Sequence, residues 1–167
     1  VIIPLLVLLF TSINKHYTRL AERLRIDPQD PPKELINTMV VLIGGFHKGV
    51  LQTLDFTRHL KPERLVALHI APDEEAADRM RAQWAEFGID LPLHIELDPF
   101  RNLNQVVISY IERLGAEYTD DRIAIVIPEF VVHKWWEHLL HNQTALFLKG
   151  KLLFKEDVVV ISVPYHV

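Results

Sequence analysis

Five short runs of aliphatic and β-branched residues punctuate the chain: Met39–Ile43, Leu65–Ile70, Leu93–Leu97, Ile123–Ile127 and Val158–Ile161. Between them the apolar positions change to helical spacing. Ala76, Ala77, Met80, Trp84 and Phe87 fill one helix face in one interval, and Val107, Tyr110, Ile111 and Leu114 fill one in another. Successive runs begin roughly 25–35 residues apart, about the length of a strand, a crossover helix and a return. Right-handed crossovers then require a parallel sheet. The expected fold is α/β: five parallel strands with helices on both faces, of the Rossmann-like, doubly wound kind.

The fourth run leads into the most distinctive stretch. Ile123–Ile127 reads as a buried strand, Pro128 is expected to stop it, and Pro128-Glu129-Phe130 to form a polar corner. Trp135, Trp136, Leu139 and Leu140 then open a long helical pattern running to Thr144, with at least one tryptophan packed in the core. In open parallel sheets ligands bind outside the carboxyl ends of the strands, so this corner marks the functional edge.

The chain begins with a different pattern. Val1 to Phe10 is an uninterrupted apolar run containing Pro4. Crossing a bilayer takes about 20 apolar residues, so residues 1–12 read as the trailing end of a transmembrane helix, or alternatively as a buried element of the globule. Lys15, His16, Arg19, Arg23 and Arg25 follow at once, the charge pattern of a cytoplasmic membrane exit. Lys15, His16 and Arg19 either dock anionic lipid heads or form a solvated helix face. Ile13, Tyr17, Leu20 and Leu24 continue the helix as one apolar stripe. Asp27-Pro28 and Asp30-Pro31-Pro32 end it, because a residue before proline is pushed out of the helical region. Residues 13–33 are thus a membrane-proximal helix and linker, and 34–167 a cytoplasmic α/β domain.

Composition narrows the function. The apolar fraction of 49% over 167 residues supports a folded core. The net charge of −4 divides into +2 over residues 1–33 and −6 over the remainder, the wrong sign for a domain that binds a nucleic acid polymer. Without cysteine there are no disulfides, thiolate metal sites or cysteine nucleophile. Asn142-Gln143-Thr144 matches a glycosylation acceptor only by chance, since it falls in a helical pattern.

Five corners converge on the carboxyl edge. The first, Gly44-Gly45-Phe46-His47-Lys48-Gly49, is the best anion site: Gly44 and Gly45 let backbone N–H groups reach a phosphate, with His47 beside them and Lys48 as a cation. Two glycines also suit an ordinary tight turn, and neither the dinucleotide fingerprint nor the P-loop is present. At the third corner Asn102 reads as a helix N-cap, and Arg101 either reaches an anion or lies on the surface. Glu129 either accepts from a ribose hydroxyl or adenine amino group, or serves as a helix N-terminal carboxylate; Phe130 lies beside it. The other two corners are Ala71-Pro72-Asp73 and Ser162-Val163-Pro164-Tyr165-His166. His133, His138 and His141 cluster without the His-Glu-x-x-His order, so no metal site is assigned to them. No nucleophile elbow or spaced carboxylate pair points to an enzyme.

Ile127-Pro128-Glu129-Phe130-Val131-Val132, then Trp135-Trp136 and Leu139 to Leu146, with Val163-Pro164-Tyr165-His166 at the end, resemble the C-terminal cytoplasmic domain of bacterial amino acid–polyamine–organocation (APC) superfamily permeases. Within them the resemblance is to the subgroup of KimA-type proton-coupled potassium importers, and His16-Tyr17 with Ala21 and Leu24 resembles that family's exit from its last transmembrane helix.

The resemblance implies a universal-stress-protein-like α/β domain, dimeric, below a transporter core at the inner membrane of a bacterium. In KimA-type importers such a domain is a receptor for cyclic di-AMP, whose binding inhibits potassium uptake. The expected partners are the transporter core, a second protomer through the edge around Val158–Val163, a cyclic dinucleotide and the membrane surface; no cofactor is expected. Nucleotide-binding universal stress proteins usually end their first strand with aspartate and carry a glycine-rich loop after the fourth. Ile43-Gly44 and Pro128-Glu129-Phe130 stand there instead, which argues against the usual ATP site. The alternatives are a structural dimerisation module without a ligand and an ATP-binding signalling domain.

Overall fold

A computed structural model describes residues 2–25, 36–100, 102–118, 121–131, 143–155 and 157–166. The chain divides into two units, Val1–Glu34 and Leu35–Val167. The first holds one helix, α1 (Ile2–Arg23). Pro4 sits in its first turn, where a missing N–H breaks no intrahelical bond. Lys15, His16 and Arg19 are exposed on it, and its apolar residues find no cover within that unit. Among the described residues no helix is long and apolar enough to cross a membrane.

In the second unit strand and helix alternate as β1 (Ile36–Ile43), α2 (Lys48–His59), β2 (Arg64–Ala71), α3 (Glu74–Glu86), β3 (Leu93–Leu97), α4 (Leu103–Glu117), β4 (Asp121–Val131), α5 (Gln143–Leu153) and β5 (Val158–His166). The sheet order is β3-β2-β1-β4-β5, and every pairing is parallel. The chain winds outward from β1 to β3, then crosses back to β4 and β5. The reversal falls between β1 and β4, and the carboxyl ends of such a pair are where open α/β sheets bind ligands.

Because side chains alternate across a strand, each central strand feeds two cores. Val40, Leu42, Ile125 and Ile127 face one side, where Val107, Tyr110 and Ile111 of α4 and Leu148 and Leu152 of α5 close over them. Val41, Ile43 and Val126 face the other, under Val50 and Leu54 of α2 and Met80 and Trp84 of α3. Phe87, expected on the buried face of α3, is 56% exposed: it follows the helix end and tilts against Phe46 at 4.8 Å between ring centroids.

The expected stop at Pro128 is overturned. β4 runs on to Val131, and Pro128 to Val131 pair with Val163 to His166. The expected fifth corner, from Ser162 to His166, is likewise strand. β1 pairs with β4 only as far as Val41 opposite Val126. Beyond that level β4 has β5 as its one sheet neighbour, and proline is tolerated where a strand has an open edge. The helix expected from Trp135 to Thr144 lies outside the described residues up to Asn142, as do the three clustered histidines; α5 begins at Gln143.

The two sides of α5 give a direct check on this packing. Leu148→Ala, at 1% exposure, should lower unfolding stability by about 2–5 kcal/mol, whereas Leu146→Ala, at 66%, should stay within about 0.5 kcal/mol in chemical denaturation of the isolated protomer.

Candidate functional site

The crevice is built from the first glycine corner and the β4–β5 extension. Val41 lies level with Val126, so β1 ends at Ile43 opposite the level of Pro128, and β4 continues through Glu129, Phe130 and Val131. At about 3.3 Å per residue this paired extension overhangs the sheet by roughly 10 Å. Tyr165 hangs from it on the α2 side. A Cβ built at Gly49 would stand 3.0 Å from Tyr165 Cγ and 3.2 Å from both Tyr165 Cβ and His47 Nδ1. The first turn of α2 therefore fits under the extension only because residue 49 lacks a side chain. Thr53, fully buried, donates to Gly49 O at 2.7 Å and fixes that turn.

Gly44 and Gly45 differ from Gly49. Neither has positive φ, and no atom lies within 4 Å of a Cβ placed on either. Among the described residues, neither conformation nor packing requires glycine there. His47 caps α2 in an extended conformation, φ −154° and ψ 169°, with no side-chain capping bond. Burial lowers the His47 pKa below its ordinary value. A depressed histidine favours the unfolded chain once it is protonated, so stability falls as pH drops through the ordinary histidine range. Lys48 is exposed on the first turn. Beneath the loop, His69 of β2, 6% exposed, shares a 2.7 Å hydrogen bond between Nδ1 and Ile43 O, and Phe46 meets Trp84 edge-on at 6.3 Å.

The remaining sequence-predicted residues separate from this corner. Asn102 sits at the β3–α4 corner, with β2 between it and β1. Its side chain makes no capping bond; it donates to Gln105 Oε1 at 3.0 Å. Asp98, 8% exposed, orders the loop ahead of α4: its carboxylate accepts the backbone N–H groups of Phe100 and Asn102. A cleft of about 450 Å³ lies beside it, lined by Glu96, Asp98, Phe100, Gln105 and Arg113 among others. Arg101 lies outside the described residues.

Glu129 is neither at a helix N-terminus nor on the α2 side. It stands in β4, 15% exposed, in an ion pair with Lys149 of α5 on the opposite face. Phe130 is paired with Tyr165 in the ladder. The structure thus brings together Gly44, Gly45, His47 and Lys48, and adds Tyr165, which the sequence placed at the same edge without a role. Among the described residues no cluster of three His, Asp or Glu side chains has the arrangement of a metal site.

A doubly wound α/β domain with a glycine corner at its switch point is the class these features define. Residues 35–165 match the KimA potassium transporter C-terminal domain family, and the chain belongs to it. The potassium transporter KimA of Bacillus subtilis (strain 168) is 27% identical over 168 residues, covering 99% of this chain and 28% of that protein. The chain spans little more than a quarter of that relative's length.

The three glycines of this corner should separate on substitution. Gly49→Ala drives a Cβ into the root of the Tyr165 side chain, which ring rotation cannot move, and should cost about 1–3 kcal/mol. Gly44→Ala and Gly45→Ala meet no atom and should leave stability unchanged or raise it by up to about 1 kcal/mol through the unfolded state, read by thermal denaturation.

Proposed function

We propose that this domain regulates a potassium transporter from the cytoplasmic side of a bacterial membrane, and that the β1–α2 corner receives a phosphate-bearing ligand, cyclic di-AMP. The observation that carries the reading is the pair Gly44-Gly45, whose lack of side chains no contact among the described residues explains. Glycine is used where a backbone must be approached closely, and a ligand is what remains to approach it. The first-turn N–H groups of α2, without a capping side chain, and the cation of Lys48 lie beside it, a combination that suits an anion at a helix N-terminus. The family match supports the transporter context.

Control would act by linkage: a ligand with different affinity for two transporter conformations shifts the balance between them by that difference. The domain does no chemistry in this account. A dimer through the β5 edge, as expected from the sequence, would let one ligand event act on two protomers. β5 has a neighbour on one side only, and its outer edge carries no charge between Val158 and Tyr165.

Thermal unfolding of the 167-residue chain in mild detergent tests the ligand directly. At a hundredfold excess over its dissociation constant, cyclic di-AMP should contribute about 2.7 kcal/mol and raise the midpoint by several degrees. The shift should shrink in Gly45→Ala and Lys48→Ala, and ATP should give none. A shift with ATP would make this an ATP-binding signalling domain, and no shift with either nucleotide would leave a structural dimerisation module.

A further inference from the structure

Helix α1 changes character along its length. From Ile2 to Phe10 every side chain is apolar, and the large ones stand exposed, from Leu6 at 43% to Ile3 at 76%. At about 1.5 Å per residue this stretch is roughly 14 Å long, about half the hydrocarbon thickness of a bilayer. From Ile13 onward only one face is apolar. At about 100° per residue Ile13, Tyr17, Leu20 and Leu24 make a stripe, and Lys15, Thr18, Arg19 and Glu22 fall on the other side. The threonine hydroxyls on either side of this change are satisfied inside the helix: Thr11 donates to Val7 O at 2.8 Å and Thr18 to Asn14 O at 2.9 Å. Thr11 therefore adds no unmet donor next to the apolar stretch. Lys15 and Arg19, one turn apart, have no ion-pair or hydrogen-bond partner among the described residues.

We infer that Ile2–Phe10 lodges in the acyl layer of one bilayer leaflet and that Lys15 and Arg19 bind anionic phospholipid headgroups at its surface. A helix apolar all round suits lipid, because acyl chains cover every side without a matched surface. The boundary then falls between Phe10 and Lys15, within about 8 Å along the axis. Lysine and arginine stems span that distance while their charged heads stay at the phosphates. Tyr17 follows at the level where amphipathic rings collect, and the one-sided stripe lets the helix lean on the interface. The charge is complementary as well: through Ile26 the acid is Glu22 alone, against Lys15, Arg19, Arg23 and Arg25. An anionic surface supplies the counter-charge that the chain itself does not.

The inference goes beyond the ligand reading and uses none of its residues. Flotation of the 167-residue chain, added from mild detergent to preformed vesicles, tests it. The chain should float with phosphatidylcholine vesicles and bind those that also contain phosphatidylglycerol roughly tenfold or more tightly. Lys15→Gln with Arg19→Gln should keep the phosphatidylcholine affinity and lose most of the anionic preference, as should high salt with the unaltered chain. Lys61→Gln with Lys151→Gln, the same charge change on exposed positions of the α/β unit, should leave the preference intact. Leu6→Asp with Leu9→Asp should abolish flotation on phosphatidylcholine. Equal affinity for both vesicles, or an equal loss in the two glutamine pairs, would overturn the headgroup site. Flotation that survives the aspartate pair, or no flotation with either vesicle, would overturn the lodging of α1 and give the apolar stretch to a protein partner. The cyclic di-AMP shift, read in the Lys15→Gln, Arg19→Gln chain, should match that of the unaltered chain, which keeps the failure of one reading distinct from that of the other.

Discussion

Val126 is the last residue of β4 that is paired to β1, and the β4–β5 ladder continues beyond it to Val131 opposite His166. A parallel sheet whose neighbours all ended together would leave a flat carboxyl edge. Here one pair of strands outruns the rest, so the edge has a wall. Pro128 is compatible with strand because the β1–β4 ladder has already ended at Val126, so no β1 carbonyl calls for an N–H there. Tyr165 is carried outward to lie over α2, which in turn requires Gly49 to be bare. Glu129 is carried out on the other face, where its ion pair with Lys149 ties α5 to the extension. The crevice, the seating of α2 and the anchoring of α5 all depend on that difference in strand length.

The glycines divide by physical cause, and the division orders their functions. Gly88 turns the chain at φ +58° after α3, a backbone requirement, and Gly49 answers a packing requirement. Gly44, Gly45 and Gly150 answer neither. Gly44 and Gly45 lie at the switch-point corner, between β1 and α2.

Much of the architecture is legible in the sequence because a parallel sheet buried on both faces writes near-continuous apolar runs. All five strands lie where those runs stand, and Val107, Tyr110 and Ile111 are buried as their spacing implies. The errors at the β4–β5 extension share one source. Pro128 reads locally as a terminator, and Ser162 to His166 as a loop, because composition reports a missing N–H but not whether a neighbouring strand is there to receive it. Glu129, next to Pro128, reads as a corner residue for the same reason. The grouping of Asn102 with Gly44 fails differently: loops that share an edge are separated by sheet order, and β2 stands between these two. Asp98 as the residue that organises the β3–α4 corner, and Tyr165 as the cover of α2, depend on contacts between distant segments that no local spacing encodes.

The central claim is that the β1–α2 corner is a ligand site. Backbone amide shifts in the 167-residue chain, recorded by NMR as cyclic di-AMP is added, test it most directly. The account predicts saturable movement of the Gly44, Gly45, Lys48 and Gly49 resonances, with the Phe100 and Asn102 amides of the β3–α4 corner little changed. Saturation that moved only the β3–α4 amides, or a titration that moved none of them, would contradict it.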